Sequence, residues 1–137
     1  MSSFTKSKCP VLLNFFYTRC KTTCPVLASD FANFQYRLKA DSSRVHLISI
    51  TIDPEHDSVD ALARFQKRYK AKPGWIFLTG NQENVQLIMH VFAAYTKYKM
   101  GYYPLVYLYE PKKKQWIQFE GYVTVEKLIE EYEKVIN

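Results

Sequence analysis

The run Val11-Leu12-Leu13-Asn14-Phe15-Phe16-Tyr17 is apolar almost without interruption. A stretch of that length without alternation predicts a strand buried on both faces. After Pro25 the period changes: Leu27, Phe31, Phe34 and Leu38 fall on one stripe of a helix. Val45 to Ile52 is a second apolar, β-branched strand, closed by Asp53-Pro54. Val59, Leu62, Ala63 and Tyr69 predict a second helix, for which Asp57 or Ser58 supplies the cap. Trp75 to Leu78 reads as a short strand ended by Thr79-Gly80-Asn81, and Val85, Ile88, Phe92 and Tyr95 mark a third helix. Leu105 to Tyr109 and Trp116 to Phe119 read as strands of a hairpin that turns around Pro111 and the lysines after it. Thr124 can cap a last helix carrying Val125, Leu128, Ile129, Tyr132 and Ile136. The order β-α-β-α-β-α-β-β-α predicts an α/β fold, a mixed central sheet with helices on both faces.

The chain has 137 residues, 47% of them hydrophobic, enough for one ordinary core. No repeat, low-complexity tract or linker divides it, so residues 1–137 are read as a single domain. With only 4 Gly and 16% aromatic residues, the composition is that of a globular protein rather than a disordered one. No stretch approaches the ~20 apolar residues that a membrane-crossing helix needs, and Met1 to Lys8 does not read as a signal peptide. The formal net charge is +6, with Lys67, Arg68, Lys70 and Lys72 in one cluster and Lys112, Lys113 and Lys114 in another. A solvated helix end and a hairpin tip account for both clusters. No nucleic-acid-binding motif accompanies them, so no nucleic acid is expected as a partner, and an acidic protein is the more natural match.

Chemistry enters with the cysteines. Three are too few for a disulfide scaffold, and the odd count leaves one over if two pair. Two of them stand in Tyr17-Thr18-Arg19-Cys20-Lys21-Thr22-Thr23-Cys24-Pro25, directly after the first strand. Pro25 suits the first turn of a helix, where a missing N–H costs little, so the sequence sets both thiols at a strand-to-helix turn. Two sulfurs there can close a disulfide or jointly grip a soft metal. The positive end of the helix, with Arg19 and Lys21, favours the thiolate. Cys20, earlier on the loop, is the expected attacking sulfur and Cys24 the resolving one. Cys9, before Pro10, reads as a small, partly buried hydrophobe, the alternatives being a third metal ligand or an intermolecular thiol. His46, His56 and His90 read as surface or satisfied histidines, and Asp53 as the residue that orders the Asp53-Pro54 turn. Tyr95, Tyr98, Tyr102 and Tyr103 form either a partner-facing patch or core and rim.

The stretch from Tyr17 to Pro25 closely resembles the Y-T-x-C-x-x-x-C-P signature of the Sco/SenC family. Ile48 to Ser58, reading I-S-I-T-I-D-P-E-H-D-S, is similar to that family's S-V-D-P-x-x-D-T segment, and Leu78-Thr79-Gly80 matches its L-T-G before the third helix. The motifs fall in order and span the chain from about Pro10 to its end. The resemblance implies a thioredoxin-like domain on the extracytoplasmic side of a membrane, periplasmic or membrane-tethered, with the leader or anchor outside this chain. It implies service in assembling the binuclear copper centre of cytochrome oxidase, as a copper carrier or a thiol reductant. The implied partner is a cysteine-containing protein, such as a cytochrome oxidase subunit, and the chain is expected to be a monomer. Family domains also open with a β-hairpin that the residues before Cys9 cannot supply, so the domain is expected to be shortened or truncated at its N-terminus.

The family's copper site uses both cysteines and a histidine in a segment of the form D-H-S-x-x-x-Y-L. The matching segment here is Gly101-Tyr102-Tyr103-Pro104-Leu105-Val106-Tyr107-Leu108, in which Tyr102 stands in the histidine's place. A neutral phenol is a hard oxygen donor, whereas Cu(I) prefers sulfur and imidazole. The implied metal ligands are therefore Cys20 and Cys24 alone, with copper an allowed cargo and no cofactor required. Pro104, immediately before a strand, stands where thioredoxins place a cis-proline against the dithiol; an ordinary trans-proline at a strand start is the alternative. These readings favour a thiol–disulfide oxidoreductase built on Cys20 and Cys24, with Pro104 beside them. A Cu(I) chaperone on the same pair ranks second, and an interaction module that uses neither chemistry ranks third.

Overall fold

The computed structural model describes residues 10–18, 23–38, 46–92, 105–120 and 124–136. Its elements follow the expected order: β1 (Val11–Phe16), α1 (Thr23–Leu38), β2 (His46–Thr51), α2 (Val59–Arg68), β3 (Trp75–Leu78), α3 (Gln82–Val91), β4 (Leu105–Glu110), β5 (Gln115–Glu120) and α4 (Val125–Ile136). The strands form one five-stranded sheet in the order β3-β2-β1-β4-β5. β1 lies parallel to β2, and β2 to β3, while β4 is antiparallel to both β1 and β5. The sheet is mixed, as the sequence implies.

β1 holds the middle because every one of its residues is apolar or internally satisfied, and all six are buried. Leu12 and Phe16 join the core on one face, with Leu27, Phe31 and Phe34 of α1, Leu62 and Phe65 of α2, and Leu128 and Tyr132 of α4. Val11, Leu13 and Phe15 join the core on the other face, with Val85 and Met89 of α3. Asn14 is the polar residue in this strand. Its Oδ1 accepts from Ser49 Oγ at 2.6 Å, and Ser49 Oγ accepts from Trp75 Nε1 at 3.0 Å, so one buried relay stitches β1, β2 and β3 together. Gln35 of α1 is likewise buried and satisfied: its Oε1 accepts from the Lys72 N–H at 2.9 Å, tying α1 to the entrance of β3.

The second helix departs from its expected stripe. Val59 is 73% exposed and Ala63 is exposed, whereas Leu62 and Phe65 are buried. Ser58 is the cap, its Oγ accepting from the Ala61 N–H at 3.1 Å, which makes Val59 the first helical residue and turns it outward. At the other end of the chain Thr124 caps α4 as expected, its hydroxyl accepting from the Lys127 N–H at 3.1 Å. Tyr95, expected on the third helix, lies outside the described residues.

Phe31 has no exposed surface and packs against Trp75 with ring centroids 5.8 Å apart. Phe31→Ala should cost about 3–5 kcal/mol of stability, the usual toll of removing a buried phenylalanine. Chemical denaturation measures it, and a loss below about 1 kcal/mol would mean that this core does not exist as described.

The α1–α4 surface carries an electrostatic consequence. Arg37 Nη1 donates to Glu126 Oε1 at 3.2 Å. Asp30 faces the same carboxylate, and burial first and Glu126 second push its pKa above the ordinary 3.8. A carboxyl raised in the folded state binds protons more tightly there than in the unfolded chain, so stability falls as pH rises through that window. Asp30→Asn should therefore raise the melting temperature at neutral pH, with the gain vanishing below pH 3.8. An equal gain at acidic and neutral pH would contradict this account.

Candidate dithiol site

β1 and β2 run parallel with Phe16 opposite Thr51, so both end at the same edge of the sheet. The carboxyl ends of parallel strands are where α/β folds collect their functional loops. The Ile52 N–H donates to the Phe16 carbonyl at 2.7 Å and closes the ladder there. After β2 the chain makes the turn Asp53-Pro54-Glu55-His56-Asp57, in which the Asp53 carbonyl accepts from the N–H groups of His56 and Asp57 at 3.1 and 2.9 Å. The Asp53 carboxylate is buried and faces His56 Nδ1 at 3.0 and 3.1 Å, while the Asp53 N–H donates to Thr51 Oγ1 at 3.0 Å. Asp53 orders this turn from both its backbone and its side chain.

Asp57 has no exposed surface. Its Oδ2 accepts from the Thr18 N–H at 3.0 Å and from the Thr51 hydroxyl at 2.6 Å, and its Oδ1 accepts from the Thr18 hydroxyl. A carboxylate taken out of water is tolerable only with such donors around it. Asp57 is thus not a helix cap; it fastens the residue that leaves β1 to the residue that ends β2. Sequence reasoning passed over this role. One signal was available: Asp57-Ser58 offers two adjacent cap acceptors where one helix start needs a single one.

Thr18 is two residues ahead of Cys20, and Cys24 is the second residue of α1. The structure therefore sets Cys24 in the first turn of the helix that follows β1, with Pro25 behind it in the same turn. Cys9, Cys20, Tyr102 and Pro104 lie outside the described residues. β4 is antiparallel to β1 and starts at Leu105, with Val106 opposite Asn14, so it begins at the edge where β1 ends. The histidines are spread apart: His46 opens β2 opposite Val11, at the far edge of the sheet; His56 stands in the turn beside Asp57; His90 is in the last turn of α3.

The family model for SCO1/SenC matches residues 5–137. The chain belongs to the SCO1/SenC family. It is similar to the SCO1 protein homolog of Bacillus subtilis (strain 168), with 35% identity over 74 residues, 53% of this chain and 38% of that protein. The match thus spans well under two thirds of that relative's own length. Among solved structures it is similar to BsSco, a member of the Sco family of cytochrome c oxidase assembly proteins in which a disulfide switch was identified. That likeness has a TM-score of 0.77 and 27% identity, over 97% of this chain and 82% of that one. It shares the fold of Arabidopsis thaliana ScoI with copper bound, at a TM-score of 0.76 and 22% identity, over 97% of this chain and 87% of that one. The thioredoxin-like fold expected from the motifs is the one observed. In this SCO1/SenC member the D-P-x-x-D segment is joined through Asp57 to Thr18, the threonine of the Y-T-x-C-x-x-x-C-P signature.

Proposed function

We propose that this chain is a SCO1/SenC thiol–disulfide oxidoreductase in which Cys20 and Cys24 act on cysteines of a partner protein during copper-centre assembly of cytochrome oxidase. The observation that supports the reading is what flanks C-x-x-x-C in the chain. The motif begins just past a strand end fastened by a buried carboxylate, and it finishes in the first turn of α1. In the reductive direction the Cys20 thiolate attacks the partner's disulfide and releases one partner thiolate, leaving a mixed disulfide. The Cys24 thiolate then attacks the Cys20 sulfur and releases the second partner thiolate. Two electrons pass to the partner, and the Cys20–Cys24 disulfide waits for reduction by another thiol. Pro104, directly before β4, is assigned to the partner-facing backbone beside the dithiol. The chain acts as a monomer on the extracytoplasmic side of a membrane; among the described residues no helix is long and apolar enough to cross one.

The donor chemistry favours a second reading, Cu(I) carriage on the same pair, with copper as cargo. Two thiolates satisfy a soft d¹⁰ ion in a linear arrangement without a third ligand. The fold shared with a copper-bound ScoI is compatible with it.

Thiol counting tests the redox reading. The denatured, air-oxidised protein should show one reactive thiol, Cys9, and the reduced protein should show all 3 cysteines. Finding every thiol reactive before reduction, or a bridge to Cys9, would overturn the assignment.

A further inference from the structure

We propose that the sheet edge where β1 begins, opposite the one that leads to C-x-x-x-C, docks on an anionic lipid surface through two basic clusters. β1, β2 and β3 all begin at that edge: Val11 stands opposite His46, and Leu47 opposite Trp75. Lys67, Arg68, Lys70 and Lys72 lie where α2 ends and the chain enters β3, the Lys72 carbonyl accepting from the Trp75 N–H at 3.2 Å. Lys112, Lys113 and Lys114 form the tip of the β4–β5 hairpin, and Tyr109, just before that tip, pairs with Val11. The two clusters therefore share one rim. In the strand order β3-β2-β1-β4-β5 they stand three to four strand spacings apart, roughly 14–19 Å. All of these cations are exposed, and none pairs with a described carboxylate. Without them the chain holds 12 basic residues against 13 acidic ones, so this rim accounts for its net charge of +6. Glu110, at the end of β4, is the acidic residue next to the tip.

The backbone singles out both clusters. Among the described residues two non-glycine residues have positive φ, Lys70 at 54° and Lys114 at 52°. Lys70 follows the Tyr69 cap of α2; its N–H donates to the Lys67 carbonyl at 3.2 Å, and the Ala71 N–H to the Gln66 carbonyl at 3.1 Å. Glycine is the usual residue at that step of a helix stop, as it is at a left-handed hairpin position. A lysine in each place keeps a charge despite the backbone strain, and such an outlier points to a use. The kind of cation favours lipid over protein. Six of the seven are lysines, hydrated point charges on flexible stems, whereas protein interfaces favour arginine and are depleted in lysine. Lysine clusters of this size suit anionic headgroups, which can each move to a partner of their own. Lys72 Nζ lies 5.2 Å from the ring centroid of Tyr36, which is 64% exposed and is the kind of amphipathic ring that sits at headgroup level. Docked this way, the edge where β1 and β2 end points away from the lipid.

Flotation of the whole chain with vesicles tests this, using phosphatidylcholine alone or with about one third phosphatidylglycerol. The parent should bind only the second kind, and should let go in about 1 M salt, where the screening length falls to about 3 Å. Lys70→Gly with Lys114→Gly should weaken binding about 25-fold, since each lysine near an anionic surface contributes about fivefold. The melting temperature of that variant should stand at or above the parent's, because glycine suits both backbone positions. Lys112→Gln with Lys113→Gln, at exposed positions without that strain, should lose binding to the same extent. Lys127→Gln with Lys134→Gln removes equal net charge from lysines that pair with carboxylates on α4, and should weaken binding far less. Equal losses in the rim and α4 variants would mean attraction by net charge alone and would overturn the proposal. So would a parent that ignores phosphatidylglycerol vesicles, including one that binds soluble polyglutamate instead, which would make the partner an acidic protein.

Discussion

Cys24→Ser should abolish the intramolecular disulfide and trap the partner as a stable mixed disulfide on Cys20, while Cys20→Ser should give no covalent adduct at all. The asymmetry follows from the order of attack: Cys20 forms the mixed disulfide, and only Cys24 resolves it. The same substitution should weaken Cu(I) binding by about 10²–10⁴-fold, the range lost when a two-point grip becomes a one-point grip. Serine occupies nearly the same volume as cysteine. Cys24 is the second residue of a sixteen-residue helix whose anchoring side chains, Leu27, Phe31 and Phe34, are untouched. Unfolding is therefore not the expected cause, and circular dichroism of the variant checks that. The adduct is read on a non-reducing gel with a disulfide-bearing peptide, and the affinity by competition with a chromophoric Cu(I) chelator. A Cys24→Ser protein that still turns over disulfide, and still holds Cu(I) as the parent does, would place the chemistry elsewhere in the chain.

The parts of the fold legible in the sequence are those whose burial is decided along the chain. β1 was legible because a strand in the middle of a sheet, covered on both faces, has no polar side to alternate. Trp75–Leu78 was legible because turn residues bracket an apolar run. The phase of α2 was legible only in part: Leu62 faces the core as expected, but with Ser58 as the cap Val59 opens the helix facing outward, Ala63 is exposed, and Phe65 takes the second inward position. Of the candidate site, the two cysteines and the D-P turn announce themselves through short spacings. Asp57 does not. Its meaning depends on Thr18, and nothing local in either residue reports a bond across 39 positions. That bond exists because parallel pairing aligns Phe16 with Thr51 and so brings the two strand ends together. Tertiary contact of that kind is what a pattern of apolar positions cannot encode residue by residue.

Tyr102→His should create a coloured thiolate–Cu(II) complex that the parent does not form. Cu(II) is harder than Cu(I) and wants nitrogen beside its sulfurs, and a neutral phenol is a poor substitute. The register rests on Tyr107 and Leu108, which match the end of the family's D-H-S-x-x-x-Y-L segment, and both are buried in β4. β4 begins at the edge where β1 ends, and position 102 comes three residues before it in the sequence. The parent should still bind Cu(I), since that ion needs no third ligand. The readout is a visible charge-transfer band on adding Cu(II) to reduced protein: present in Tyr102→His, absent in the parent, and lost again when Cys24→Ser is added. A band in the parent would mean that another histidine reaches the sulfurs. His56 would be the first to test, because it stands in the turn beside Asp57, at the sheet edge where β1 and β2 end. Copper carriage would then take the lead over thiol exchange, because a chain that supplies its own nitrogen donor has kept a complete metal site in spite of Tyr102.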